Sequence, residues 1–294
     1  MLAEKHGLDS FWLGEGYHGR SALALLSAVA VQTKKIQIGT AIIGIYTRHP
    51  ALIAMESATI DELSHGRFNL GLGVNVTSLV KHGYTKSAST ARDQKPYAAM
   101  KDAVEIIRKL MTGENTIYNG EIFSLPEPGS ALNFHGFKPP RRNMPIYLGS
   151  RSPKILELCG AVADGVILSR SLSASGSYVT ESLEHLFQGA RKAGRKKEDL
   201  VVASNLTFSV SKPFSLADAF VRRTSYCELV NHFWSNQFGR SMHPAFLQPS
   251  FDRAQILGLH LAVLEHQICS RERRVSYVKS DGLPHMVSCS VTIF

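Results

Sequence analysis

Between Ile36 and Asn75 the chain passes through three blocks of distinct pattern. Ile36–Ile45 is apolar and rich in isoleucine, broken by Gly39 and Gly44, which predicts a strand buried on both faces. Ala51–Leu63 predicts a helix, with Pro50 suited to its first turn. Ser64-His65-Gly66 closes that helix, and Phe68–Leu72 begins a second apolar strand ending in Gly71 and Gly73. Strand, crossover helix and strand make a βαβ unit, which forces a parallel pair.

The flanking pattern extends this rhythm. Met1–Lys5 predicts the end of a helix capped by Gly7. Asp9–Gly14 predicts a short strand that delivers Glu15 to its carboxyl end, ahead of a glycine-rich loop. Ser21–Thr33 predicts a helix, with Leu23, Leu26 and Ala30 at helical spacing. Periodicity lapses from Val76 to Pro96, a long loop. It returns in Lys95–Thr112, an amphipathic helix with Tyr97, Met100, Val104, Ile107 and Met111 on one face. Thr116–Leu125 predicts a hairpin around Asn119-Gly120, and Pro126–Asn143 a proline-rich excursion. Strands at Pro145–Leu148, Gly165–Ser169 and Leu200–Val210 then alternate with helices at Lys154–Ala163 and Tyr178–Gly194, the signature of a parallel α/β fold. Beyond Arg223 the pattern fades. Leu257–Gln267 reads as helix or strand, and the stretch from Ser270 is basic, then strand-like.

Composition narrows the class. A chain of 294 residues with 44% hydrophobic and 19% charged residues suits one α/β domain. No apolar run reaches the roughly 18 residues that span a bilayer, and the N-terminus lacks a secretory pattern, so a cytoplasmic protein without membrane attachment is expected. Cys159, Cys227, Cys269 and Cys289 show neither CxxC spacing nor a paired-histidine pattern, so no metal site is expected. The net charge of +9 raises nucleic acid as a partner. The basic clusters Lys138–Arg142, Arg191–Lys192, Arg195–Lys197 and Arg271–Arg274 lack interleaved aromatics, however, which argues against nucleic acid. A phosphorylated small molecule fits the charge as well.

Candidate chemistry gathers at strand ends. Gly149-Ser150-Arg151-Ser152-Pro153-Lys154 joins a strand to a helix whose free N–H groups, beside two cations, can seat an anion. An ordinary capped helix is the plain alternative. Gly71-Leu72-Gly73-Val74-Asn75 lacks the third glycine and the later acid of a dinucleotide fingerprint, so its glycines suit a flat ring near backbone or a simple turn. Glu15 can handle protons or bind a cofactor, or else pair with Arg20 or Arg48. His49, before Pro50, is structural or faces the pocket. Walker, GxSxG and HExxH patterns are absent.

FWLGEGYHGR, IGTAIIGIYTRHPALIAMESATIDELSHGRFNLGLG and PIYLGSRSPKILELCGAVADGVILS together resemble the luciferase-like flavin and deazaflavin oxidoreductases over about residues 1–212. YTRHP, DELSHGRF and ADG are closest to the methylenetetrahydromethanopterin reductase branch. The resemblance implies a (β/α)8 TIM barrel of the bacterial luciferase-like type, here lacking strand 1. Residues 1–224 would form it, and 225–294 an atypical segment, frameshifted or disordered. It implies hydride transfer between coenzyme F-420, a deazaflavin, and a small organic substrate; an FMN-dependent monooxygenase and a non-catalytic flavin-binding remnant are the alternatives. It further implies Glu15 and His49 as catalytic residues, and a strand bulge, often with a non-prolyl cis bond, near Ile42, Ile43 and Gly44 behind the ring. Gly73, Asn75, Gly165 and Val166 would also contact the cofactor, and Gly149, Ser150 and Arg151 would hold its phosphate. A homodimer is expected on the same ground.

Overall fold

A computed structural model describes residues 2–16, 20–74, 95–114, 117–125, 138–168, 176–210 and 287–293, with 205–210 and 287–293 as backbone. Asn75, most of the loop at 76–96, residues 126–137 of the excursion, Leu257–Gln267 and most of 225–294 lie outside the described residues. The chain divides into two units, Met1–Ile167 with Ser182–Ala203, and Leu168–Glu181 with Ser204–Phe294.

In chain order the elements are α1 (Leu2–Lys5), β1 (Ser10–Leu13), α2 (Ala22–Gln32), β2 (Gln37–Thr40), β3 (Ile43–Gly44), α3 (Pro50–Leu63) and β4 (Phe68–Gly73). Then come α4 (Pro96–Met111), β5 (Ile146–Gly149), α5 (Pro153–Val162), β6 (Gly165–Leu168), α6 (Gly176–Lys192) and β7 (Val201–Val210). Strands β1, β2, β4, β5 and β6 pair in parallel in that order, with β3 also on β4. This is the α/β architecture expected, with helices covering a sheet of nearly continuous apolar strands. Phe68, Leu70 and Leu72 of β4 and Ile146 and Leu148 of β5 are fully buried.

Local signals set most element ends. Ser21 Oγ caps α2 by accepting from Ala24 N–H at 3.3 Å. At the end of α3, Ser64 N–H returns to Ile60 O, and Gly66, at φ +79°, sends its N–H to Asp61 O. Helix α4 buries Met100, Val104, Ile107 and Met111 as expected but leaves Tyr97 46% exposed. The hairpin differs from expectation. Asn119 pairs with Ser124 and Gly120 N–H bonds Phe123 O, so its turn centres on Glu121-Ile122 rather than Asn119-Gly120. The cause is Asp102 on α4, whose Oδ2 accepts Ile122 N–H at 2.7 Å and Phe123 N–H at 3.1 Å, while Oδ1 accepts Tyr118 OH at 2.9 Å.

The DELSHGRF stretch is a fastener at the amino-terminal end of β4. Asp61, fully buried, accepts Phe68 N–H and two donors from Arg141. Arg141, which stands in a basic cluster of the sequence, therefore serves the fold.

In the second unit β8 (Val287–Ile293) runs antiparallel to β7, from Ser204↔Ile293 to Val210↔Val287. A (β/α)8 barrel pairs all its strands in parallel, so this ladder departs from that pattern. The sequence VSCSVTI alternates apolar and polar residues, which suits an antiparallel strand better than a doubly buried parallel one.

Candidate active site

The sequence predicts one strand over Ile36–Ile45, but the structure breaks it. β2 stops at Thr40, whose hydroxyl replaces the ladder: it accepts Gly71 N–H at 2.8 Å and donates to Gly71 O at 2.9 Å. The register is Gly39↔Asn69 before the break and Ile43↔Leu72 after it, so one strand takes four steps where its neighbour takes three. That extra residue is a β-bulge. The peptide between Ala41 and Ile42 within it is cis. The bulge thus lies just ahead of Ile43 and Gly44, which are already back in register as β3.

The bulge throws Ile42 across the carboxyl ends of the neighbouring strands. Register sets Gly44 beside Gly73, Gly73 beside Gly149 and Gly149 beside Ile167, so three adjacent strands present glycine at one rung. A Cβ on Gly73 would lie 2.2 Å from Ile42 Cδ1, and one on Gly149 2.9 Å from Ile42 Cγ2. Only glycine lets the isoleucine lie over bare backbone there. Below it sit Trp12, Tyr147, Ile167 and Ala203, with Trp12 and Tyr147 edge to face at 5.3 Å and 82°. Burial pushes the Tyr147 hydroxyl above its ordinary pKa, with the charge of Asp164 adding to it.

Glu15 joins this floor through its backbone, donating N–H to Ile42 O at 3.2 Å. Its side chain is 10% exposed and forks onto Arg48: Nη1 reaches Oε2 at 2.9 Å and Nη2 reaches Oε1 at 3.0 Å. Of the two ion pairs the sequence allows, the structure forms the one with Arg48. Arg48 Nε also lies 3.5 Å from Glu56 Oε2. Burial pulls the Arg48 pKa down, but the hydrogen bond and charge of Glu15 and the charge of Glu56 lift it above the ordinary value. The arginine is therefore a permanent cation, aligned on both oxygens of Glu15.

The phosphate-type turn is built as its sequence suggests, with one difference. Pro153 opens α5 and Ser152 is its N-cap, but the Ser152 side chain makes no cap bond; Ser152 N–H instead donates to Ser150 Oγ at 3.0 Å. The first helical bond is Leu156 N–H to Ser152 O at 2.9 Å, which leaves Lys154 and Ile155 N–H ahead of the ladder at the positive end of the dipole. Arg151 and Lys154 are exposed beside it.

Glu15, Ile42, Gly44, Gly73, Gly149 and Ser150 are therefore brought to one end of the sheet. Ile43 is fully buried in the core. His49 caps α3, accepting Ala51 N–H on Nδ1 at 3.2 Å, and meets the Phe123 ring edge-on at 5.7 Å. Gly165 and Val166 do not join the group. They open β6, two and one residues ahead of Ile167 on the glycine rung, and Val166 is fully buried. A Cβ on Gly165 would meet Val201 O and the Tyr147 ring, so that glycine makes room for packing. Thr40 and Glu56 escape sequence reasoning. A threonine closing an apolar strand was the available signal for Thr40, whereas nothing in the spacing marks Glu56. Among the described residues no helix is long and apolar enough to cross a membrane, and no cluster of three His, Cys, Asp or Glu can hold a metal.

A family model described as luciferase-like monooxygenase matches residues 1–246. The chain belongs to this luciferase-like family. Similar proteins include a 5,10-methylenetetrahydromethanopterin reductase of Archaeoglobus fulgidus, 34% identical over 212 residues that make up 72% of this chain and 59% of the relative. An F420-dependent glucose-6-phosphate dehydrogenase 2 of Rhodococcus jostii is 31% identical over 205 residues, 66% of this chain and 58% of that protein. Among solved structures, the coenzyme F420 dependent tetrahydromethanopterin reductase from Methanopyrus kandleri superposes with a TM-score of 0.60 at 26% identity, covering 69% of this chain and 59% of that one. The chain spans about three fifths of the length of the curated relatives it matches. Membership of the luciferase-like family makes the observed α/β fold that of its TIM-barrel enzymes.

Proposed function

We propose that this luciferase-like protein is an oxidoreductase that binds coenzyme F-420 and moves a hydride to or from a small organic substrate. The observation that carries the reading is the glycine rung Gly44–Gly73–Gly149 under Ile42, with the Glu15 carboxylate beside it. Ile42, seated low on that glycine rung, offers a flat apolar surface that fits the face of a deazaflavin ring, and the Ser150–Arg151 turn with the Lys154 and Ile155 N–H groups fits its phosphate. The names of the reductase and dehydrogenase relatives support the same cofactor. When bound, the deazaflavin supplies the hydride chemistry. Ile42 and the glycines orient the ring, Arg151 and the start of α5 hold the phosphate, and Glu15 accepts or holds a proton at its carboxylate. Gly165 and Val166 have no part in this reading, and His49 acts through the α3 cap.

Titrating the purified protein with F-420 and, in parallel, with FMN, by absorbance and fluorescence, tests the proposal. The expected result is F-420 binding at least tenfold tighter than FMN. Gly73→Ala should weaken it roughly tenfold while moving the melting temperature little, because the added methyl displaces only the end of the Ile42 side chain. Tighter FMN binding with oxygen uptake by the reduced form would favour the monooxygenase instead, and binding of neither would sink both.

The partner in this reading is a second copy of the chain. α2 carries no charged residue from Ala22 to Gln32 and exposes Leu25 and Val31. α3, packed on it, exposes Leu52 and Met55. Helices α4 and α6 instead expose Lys101 and Lys109, and Glu181, Glu184 and Arg191. Large apolar side chains turned to solvent on two neighbouring helices are the mark of an interface.

A further inference from the structure

We propose that Glu56 is a positioning residue, which through Arg48 holds the Glu15 carboxylate in line at the carboxyl end of β1. The inference rests on the reading of Glu15 as a group acting at the cofactor ring. Arg48 stands in the turn between β3 and α3, and both of its neighbours are pinned. Thr47 donates N–H and Oγ1–H to Gly44 O at 3.2 and 2.7 Å, and His49 caps α3. With the backbone held, the acceptors around the guanidinium decide which way its plane faces. Nη1 and Nη2 each take one oxygen of Glu15, and the remaining edge, Nε, faces Glu56 Oε2 at 3.5 Å. The fork onto Glu15 holds two of the N–H groups, and Glu56 sets a second negative charge against the remaining edge.

Glu56 is itself oriented toward this task. The side chain is 36% exposed overall, yet Oε2 is buried and accepts no hydrogen bond. Arg48 is the cation that faces it within ion-pair distance. Burial raises the Glu56 pKa, the Arg48 charge lowers it, and the Glu15 charge raises it again. One guanidinium is thus shared by two carboxylates, with the good geometry given to Glu15 and the longer contact to Glu56.

The test reads Arg48 directly in the protein without cofactor, by 15N-detected arginine side-chain NMR, with Arg48→Lys used to assign its signals. In the wild type the Nη protons of Arg48 should be resolved by hindered rotation. In Glu56→Ala the rotation rate should rise roughly tenfold, the loss of one charge-assisted contact, and the signals merge. Glu56→Gln, which keeps the shape of the side chain and removes its charge, should raise the rate as Glu56→Ala does, because the contact at 3.5 Å is one of charge and not a hydrogen bond. If Glu56→Ala does not fold, Glu56→Leu replaces it. Unchanged Arg48 signals in the acceptor-free variant overturn the proposal. A second readout is the absorption band of added F-420. If Glu15→Gln moves the band and Glu56→Ala does not, positioning fails and the Glu15 reading stands. If Glu15→Gln leaves the band of bound F-420 in place, it is the Glu15 reading that fails.

Discussion

Arg67 uses all five of its N–H donors. Nε bonds Ser64 O, Nη1 bonds Thr33 Oγ1 and Ile36 O, and Nη2 bonds Ala30 O and Thr33 O, at 2.7 to 3.0 Å. At 6% exposure it is a buried cation whose direct acceptors are carbonyls and a hydroxyl, three of them at the carboxyl end of α2 and one at that of α3, where the helices carry partial negative charge. Burial pulls its pKa down, and the distant charge of Glu4 only partly offsets this. Lysine cannot reproduce the fork. Arg67→Lys should lower stability by about 2–4 kcal/mol in urea unfolding while leaving cofactor affinity unchanged; an equal loss of affinity would mean that the motif belongs to the site. At this scale the sequence is a good guide to what a residue can do and a poor one to what it meets. Glu15 was open to Arg20 or Arg48, and the choice was made by where the turn after β3 places Arg48.

Elements with a strong local signal form where their sequence places them, and disagreements arise where a distant side chain intervenes. Pro50 and Pro153 at helix starts and Gly66 at a helix end act on their own neighbours. The hairpin at 117–125 does not, since Asp102, 20 positions from Ile122, collects two of its N–H groups and shifts the turn. Asp102→Ala should release it. The expected outcome is a stability loss of about 1–3 kcal/mol and chymotryptic cleavage after Phe123, absent in the wild type. Retained protease resistance would show that the aromatic contacts of Phe123 with Tyr46 and His49, at 6.1 and 5.7 Å, suffice. The break between β2 and β3 is the same kind of event: an apolar run reads as one strand, and Thr40 bonding Gly71 ends it early.

Two predictions concern the molecule as a whole. Burial pushes the Cys159 thiol from 9.0 to about 12 and the Tyr46 hydroxyl from 10.0 to about 12; Tyr118 reaches about 12 through burial, then its hydrogen bond to Asp102. All three hold their protons more tightly folded than unfolded. Their contribution is complete below about pH 9 and is lost as pH rises toward 12. Melting temperature followed from pH 8 to 11.5 should fall across that window, and Cys159→Ala should delay the onset by about one pH unit; a flat profile would contradict the burial of these groups. The second concerns assembly. Light scattering should give twice the 32.3 kDa of one chain, and Leu52→Glu with Met55→Glu should give the single mass, since two charges on an apolar interface cannot be paired. A wild-type monomer would remove the second copy from the proposed function.

The sequence by itself determined the helices, the apolar strands, their βαβ order and the glycine-rich strand ends, because period, caps and backbone freedom are properties of neighbouring residues. Its motifs also named the family. Only the tertiary structure decided that Gly44, Gly73 and Gly149 share a rung, that Ile42 lies over two of them, and that Ile167 rather than Gly165 or Val166 meets that rung on β6. Pairing register and a one-residue bulge made those decisions. They join positions such as Glu15 and Arg48, 33 apart in the chain, through contacts that form only once the strands are laid side by side.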